Sequence, residues 1–134
     1  MKSPNKLVFI NCPYDSAYRP LFEAIAFAII VCEYHSRCAL EIVDSGYSRP
    51  TKIVDLIDVC AFRLYDVSRT DLPRFNVPLE LGLAFERKYL KSRATASKMF
   101  VLDREPHRYL EFFPTCTAAT PSHTTTIRTT LSNI

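Results

Sequence analysis

Short β-rich runs and longer helical segments alternate along this chain from Leu7 to Asp103, and that alternation limits the fold more than any other feature. Leu7 to Asn11 is a β-rich run closed by Cys12-Pro13, which predicts a buried strand. From Tyr18 to Glu33 the apolar positions Leu21, Phe22, Ile25, Ile29 and Cys32 keep helical spacing, and Phe27, Ile30 and Val31 widen the stripe. A helix apolar over most of its circumference is expected to be covered on two sides, by its own sheet and by a second body such as a partner subunit. Arg37 to Asp44 predicts a second strand that ends in the turn Asp44-Ser45-Gly46. Thr51 to Cys60 predicts a second helix, with Ile53, Leu56, Ile57 and Cys60 on one face and Pro50 tolerated in the first turn. Phe62 to Val67 reads as the third strand, although Arg63 interrupts the apolar run that a doubly covered parallel strand prefers. Val77 to Leu90 is the third helix, Lys98 to Asp103 the fourth strand, and Tyr109 to Phe113 adds a helical turn.

Units of about 25 to 30 residues in this order imply right-handed βαβ crossovers and a parallel sheet covered on both faces. The expected fold is a small, flavodoxin-like doubly wound α/β domain of about four to five strands over residues 1–113, followed by an unstructured tail at 114–134. Eight of the eleven threonines fall in the last 21 residues, which carry a single charged side chain, Arg128. Such a tract has too little apolar surface to offset its ordering entropy. The abrupt change at Pro114 also raises the expectation of a truncated or frame-shifted C-terminus that leaves the last sheet edge uncovered.

Composition removes several functions. Only Gly46 and Gly82 are available, against nine prolines, so neither a Walker loop nor a GxGxxG turn can be drawn. A surplus of 17 Lys and Arg over 14 Asp and Glu gives a net charge of +3, too small by itself to mark a nucleic-acid partner. The longest strictly apolar run, Ala24 to Cys32, is nine residues, whereas a membrane-spanning helix needs roughly 20. Met1 to Lys6 is polar and unlike a secretory signal, and the five cysteines contain no CxxC pair, so reduced thiols in a cytoplasmic protein are expected. His35, His107 and His123 are scattered, and no metal site is expected.

In doubly wound sheets, ligands bind beyond the carboxyl ends of the strands, near the point where strand order reverses. That rule selects Asn11 to Asp15, Asp44 to Gly46, Asp66 to Arg69 and the start of the third helix, and with them Asn11 and Asp44 as polar ligand contacts. Asn76 is a good N-cap with Pro78 in the first turn, which makes Glu80 the fourth helical residue. A capping box wants its Glu at the third position and a hydrophobic staple wants an apolar fourth, so Glu80 satisfies neither rule. A carboxylate near the positive end of a helix dipole can serve as nucleophile or as stabiliser of an oxocarbenium-like transition state. The alternative is a solvent-facing helix residue. Asp66 and Ser68 suit ribose binding and suit an Asp-x-Ser turn equally. Cys12 is either a thiol beside the pocket or, with no cation evident nearby, a structural cysteine. Arg87, Lys88, Lys91, Arg93 and Lys98 read as a solvated face near a helix C-terminus, with phosphate contact as the alternative.

The segment Arg74-Phe-Asn-Val-Pro-Leu-Glu-Leu-Gly82 resembles the NV-hydrophobic-hydrophobic-ELG signature of the TIR-like nucleotide-binding domains of bacteria and of the related nucleoside 2-deoxyribosyltransferases. Val8-Phe-Ile-Asn-Cys-Pro-Tyr-Asp15 is similar to their first strand and following loop, Asp66-Val-Ser68 to their motif after strand three, and Met99-Phe-Val-Leu102 to the strand after the glutamate helix. The resemblance covers roughly Leu7 to Asp103. It implies that Glu80 acts at the ribose C1′ of NAD or a nucleoside and splits the N-glycosidic bond, with Asp15, Asp66, Ser68 and Asn76 in the base and ribose pocket. No cofactor is then required, and NAD or a nucleotide is substrate or ligand. The chain departs from the pattern where Pro78-Leu79 replaces the aromatic often found ahead of the glutamate, and where the threonine tract stands in place of a further strand and helix. The expected function is therefore a nucleotide-binding domain that cleaves an N-glycosidic bond. The alternative is a non-catalytic nucleotide sensor or a self-assembly module that forms homo-oligomers through helix 18–33.

Overall fold

The structure, a computed structural model, describes residues 4–41, 46, 48–69, 76–90, 98–105, 108, 111 and 124–128. A short 3-10 turn at Pro4–Lys6 leads into β1 (Leu7–Asn11), α1 (Arg19–Val31), β2 (His35–Cys38), α2 (Arg49–Val59), β3 (Phe62–Asp66), α3 (Asn76–Leu90), β4 (Lys98–Asp103) and β5 (Thr124–Arg128). All strand pairs are parallel, in the order β2-β1-β3-β4-β5. The fold is the expected α/β type with a flavodoxin-like strand order.

β1 lies between β2 and β3, and all five of its residues are buried, as an interior parallel strand requires. Its alternating side chains feed two cores. Leu7 and Phe9 join Tyr65, Met99 and Val101 beneath α2 and α3, where Ile53, Leu56, Ile57, Leu81 and Ala84 close the cluster. Ile10 and Cys12 point the other way, against Tyr18, Leu21, Phe22, Ile25 and Ile29 at the start of and along α1. Phe9 and Tyr65 meet edge to face, with ring centroids 6.1 Å apart. Burial of each such side chain contributes on the order of 1.5–3 kcal/mol.

The expected elements are present, with shifts that have local causes. β2 stops at Cys38 instead of running to Asp44, because the Glu41 carboxylate accepts from the Cys38 backbone N–H at 2.9 Å and from Arg37 Nε at 2.6 Å. The chain turns there into a 3-10 turn, Ala39–Glu41. α2 starts at Arg49 because the Ser48 side chain caps it by accepting from the Thr51 N–H, and Pro50 needs no donor in the first turn. Arg63, the anomaly of the third strand, is buried and donates to the Ile57 carbonyl at 2.6 Å. It thereby serves one of the last carbonyls of α2, which have no partner within the helix. α3 already includes Asn76, so Asn76 lies inside the helix and is not its N-cap, and Glu80 becomes the fifth helical residue.

α1 departs most from expectation. Its inner face packs on the sheet, but Phe27, Ile30 and Val31 are exposed, and no residue of the helix is fully buried. From the tract assigned to an unstructured tail, Thr124–Arg128 forms β5 and pairs with β4 from Met99↔Thr124 to Asp103↔Arg128. Three consecutive threonines and an isoleucine, all β-branched, give this stretch strand propensity. The rest of 114–134 lies outside the described residues. So do Asp44, the helical turn at 109–113 apart from Glu111, and the side chains of Arg87, Lys88, Lys91 and Arg93. Among the described residues, no helix is long and apolar enough to cross a membrane.

Candidate functional site

The strand order reverses between β1 and β3, because the chain leaves β1 towards β2 and returns across it to β3. This is the switch point at which such sheets hold ligands. Asn11, the last residue of β1, sits opposite Tyr65 of β3 and is 2% exposed. Its side-chain amide donates to Glu80 Oε2 at 2.5 Å. The two residues are 69 positions apart in the chain, and Glu80 is itself only 7% exposed. The solvent-facing alternative for Glu80 is thereby overturned. An interior carboxylate in the second turn of α3 is oriented by a neutral amide at the carboxyl end of the central strands.

A second cluster forms on the α1 side. The Tyr18 hydroxyl donates to Asp66 Oδ2, and Asp66 Oδ1 accepts from the Ser68 backbone N–H at 2.8 Å. The second contact is the Asp-x-Ser turn itself. Asp15 accepts from Arg69 Nη1 with both oxygens at 2.9 Å and from the Tyr18 N–H, and the Arg69 guanidinium lies 5.8 Å from the Tyr18 ring centre. Asp15, Tyr18, Asp66 and Arg69 therefore lock the loop after β1 to the loop after β3. Of the expected contacts, Asn11 and Glu80 meet directly, and Asp15, Asp66 and Ser68 gather on the other side of the strand ends. Asn76 is exposed, one turn ahead of Glu80, and Asp44 lies outside the described residues.

Tyrosines are the functional-site residues that sequence reasoning missed. Tyr14 donates to the Ile10 carbonyl at 2.8 Å and meets Phe22 edge to face. Burial first, with the Glu80 carboxylate adding to it, pushes its phenol well above its usual range. Tyr65 is likewise raised, chiefly by burial and also by Glu80. Both tyrosines stay protonated; the Tyr14 proton is already given to the Ile10 carbonyl. Tyr14 stood within the loop that the strand-end rule selected, whereas Tyr65 reads from sequence only as a strand aromatic. Tyr65 Oη, Ser68 Oγ and Asp103 Oδ2 are buried without a hydrogen-bond partner among the described residues.

Cys12 is 2% exposed, and burial, with Asp66, Cys38 and Asp15 adding to it, drives its thiol far above the ordinary range. It is a structural cysteine. Of the described cysteines only Cys32 is exposed. Brief alkylation of the native protein at neutral pH is expected to modify Cys32 while Cys12, Cys38 and Cys60 stay intact. Peptide mass mapping reads the result, and early labelling of Cys12 would count against its burial.

The buried acids also set an alkaline limit. Burial pushes Cys60 up to about 11 from an ordinary 9.0, and Cys12, Tyr14, Tyr18, Cys38 and Tyr65 shift in the same direction. The unfolded chain releases these protons first, so the folded state binds more of them, and stability must fall as pH rises. For Cys60 the contribution is complete below pH 9 and lost by about pH 11. Urea unfolding across this range is expected to show a steep decline that Cys60→Ala makes shallower by up to one proton; an unchanged slope excludes Cys60 from it.

Compared with known protein families, with curated proteins and with solved structures, the chain finds no match. Among the described residues, no group of three His, Cys, Asp or Glu is placed to hold a metal ion.

Proposed function

We propose that this domain binds a nucleotide or nucleoside across the β1/β3 switch point and that Glu80 acts at the ribose C1′ to cleave the N-glycosidic bond. The observation that carries the reading is the bond from Asn11 to the buried Glu80 carboxylate at the strand ends. Asn11 holds one carboxylate oxygen, which fixes the direction of the group without neutralising it. In the reaction, the C1′–N bond breaks and its electron pair leaves with the base. Glu80 either adds to C1′ or stabilises the cationic sugar, and water or an incoming base completes the exchange. The low-dielectric surroundings of Glu80 strengthen its attraction for a developing positive charge. The resemblance of Arg74 to Gly82 to TIR-like and nucleoside 2-deoxyribosyltransferase motifs supports the same reading, and on it the domain is similar to that superfamily.

A second reading, nucleotide sensing without cleavage, is favoured by the engagement of Asp15 and Asp66 with Arg69 and Tyr18 of the same chain. Incubation of the purified protein with NAD and with nucleosides, followed by chromatography of the released base, separates the two. Base release supports cleavage. Saturable binding without release supports sensing, and the absence of both rejects the nucleotide reading.

A further inference from the structure

We propose that Tyr65 and Asp103 bind the vicinal hydroxyls of a ribose whose C1′ faces Glu80, and that the domain therefore takes ribosides in preference to 2′-deoxyribosides. The inference deepens the proposed function and rests on Glu80 acting at C1′. Side chains alternate along a strand, so Asn11 of β1, Tyr65 of β3 and Asp103 of β4 share the face on which Phe9, Met99 and Val101 pack beneath the helices. The register sets Tyr65 between Asn11 on one side and Val101 on the other, and Asp103 is one same-face step further along β4. From β1 to β4 this face therefore presents Glu80 on its Asn11 donor, then Tyr65, then Asp103.

The polar atoms of this row are unevenly used. Asp103 is fully buried, and its Oδ1 accepts from Arg108 Nε, from Arg108 Nη2 and from the Arg104 N–H. Its Oδ2 is buried with no partner among the described residues. Tyr65 is fully buried as well, and its protonated Oη has no partner either. Packing alone asks for no hydroxyl at this position, since the ring meets Phe9 edge to face with or without one. Leaving buried polar groups unbonded is costly, and a ligand that supplies the missing partners recovers the cost.

The two atoms together define the ligand chemistry. A carboxylate oxygen only accepts, whereas a phenol hydroxyl donates as well as accepts. A cation suits the first and not the second. A diol suits both, with one hydroxyl donating to Asp103 Oδ2 and its neighbour accepting from Tyr65. The order along the face is that of a ribose: C1′ belongs to Glu80, the 2′-hydroxyl on the adjoining carbon falls to Tyr65, and the 3′-hydroxyl reaches on to Asp103. A 2′-deoxyriboside leaves Tyr65 Oη unbonded, and a buried polar group left unpaired is what lets a site reject an analogue that lacks a hydroxyl.

Calorimetric titration of the full chain with adenosine, guanosine, cytidine and uridine, each beside its 2′-deoxy counterpart, tests the inference. At least one riboside is expected to bind about ten- to a hundredfold tighter than its counterpart, and Tyr65→Phe to bind the two alike. Because Tyr65→Phe removes no bond of the free protein, its urea midpoint is expected to be unchanged or higher; a clearly lower one means that the hydroxyl is already bonded and overturns its role. For the riboside that binds, Asp103→Asn, which keeps an acceptor for Arg108, is expected to lose the preference over the 3′-deoxy counterpart. A wild type that binds the 3′-deoxy counterpart equally well removes Asp103 from the subsite, whether or not that variant folds. Equal or tighter binding of the 2′-deoxyriboside, the result if Tyr65 and Asp103 hold only buried water, or a Tyr65→Phe variant that keeps the preference, overturns the inference and leaves the nucleotide reading standing. Binding of neither overturns both.

Discussion

Glu80→Gln is expected to lower base release by about a thousandfold or more, which is about 4 kcal/mol of transition-state stabilisation, while the fold is retained. The substitution keeps the length and shape of the side chain, and its amide oxygen can still accept from the Asn11 amide. What disappears is the negative charge, and with it the ability to add to C1′ or to stabilise positive charge there. On the proposed function, binding of NAD or nucleoside is expected to survive, because the substitution leaves the other proposed contacts in place. Asn11→Ala is expected to behave differently. It leaves the carboxylate in place but removes the donor that orients Oε2, so turnover falls by roughly ten- to a hundredfold, and Glu80, left buried without that donor, costs about 1–3 kcal/mol of stability. The two variants thus separate chemistry from positioning. Full release by Glu80→Gln would leave the cleavage mechanism without its central group.

The sheet and its helices were legible because their signals are local. The period of Ile53, Leu56, Ile57 and Cys60, buried to 3% exposure or less, follows from one face of α2 meeting the sheet. The unbroken apolar run of β1 follows from its interior place. Glu80 stood out in the sequence by a capping argument that the structure removes, since a helix start at Asn76 puts Leu79 at the fourth position and Glu80 at the fifth; its burial and its bond to Asn11 single it out instead. The pairings that organise the site were not legible. Asn11 with Glu80, Tyr18 with Asp66 and Arg69 with Asp15 join residues 69, 48 and 54 positions apart, and no periodicity reports such contacts. Tyr18 looked like one more apolar residue leading into α1, since sequence cannot tell a phenol packed for its ring from one held by its hydroxyl. Arg63 shows the converse: a residue that looked wrong for its strand is explained by the end of a neighbouring helix.

Arg108→Ala is expected to destabilise the domain by about 3–5 kcal/mol, the largest loss from any single side-chain truncation considered, against a total of roughly 5–15 kcal/mol for a typical domain. Asp103, the last residue of β4, is 0% exposed, and the Arg108 side chain is 6% exposed. Arg108 donates to Asp103 Oδ1 through Nε at 2.9 Å and Nη2 at 2.8 Å, and the Arg104 N–H reaches the same oxygen. Nη2 also donates to the Val67 carbonyl at 2.8 Å, which ties the end of β4 to the loop that carries Ser68. Truncation takes the counter-charge from a buried carboxylate and a donor from a buried carbonyl together, which is why the cost far exceeds that of a surface pair such as Arg19 with Glu23. The pair as a whole is worth much less than its breakage, because both ions had to be desolvated. Arg108→Ala combined with Asp103→Ala is therefore expected to recover about 1–3 kcal/mol of the loss. Urea midpoints for the wild type, the two single variants and the double variant measure this coupling. If Arg108→Ala costs under about 1 kcal/mol, the pair behaves as a solvated one and does not anchor the loop after β3. If the loss is as large as expected, base release by Arg108→Ala should be assayed well below its lowered unfolding temperature. A deficit that persists there reflects the displaced Val67–Ser68 backbone, and a deficit that vanishes reflects unfolding alone.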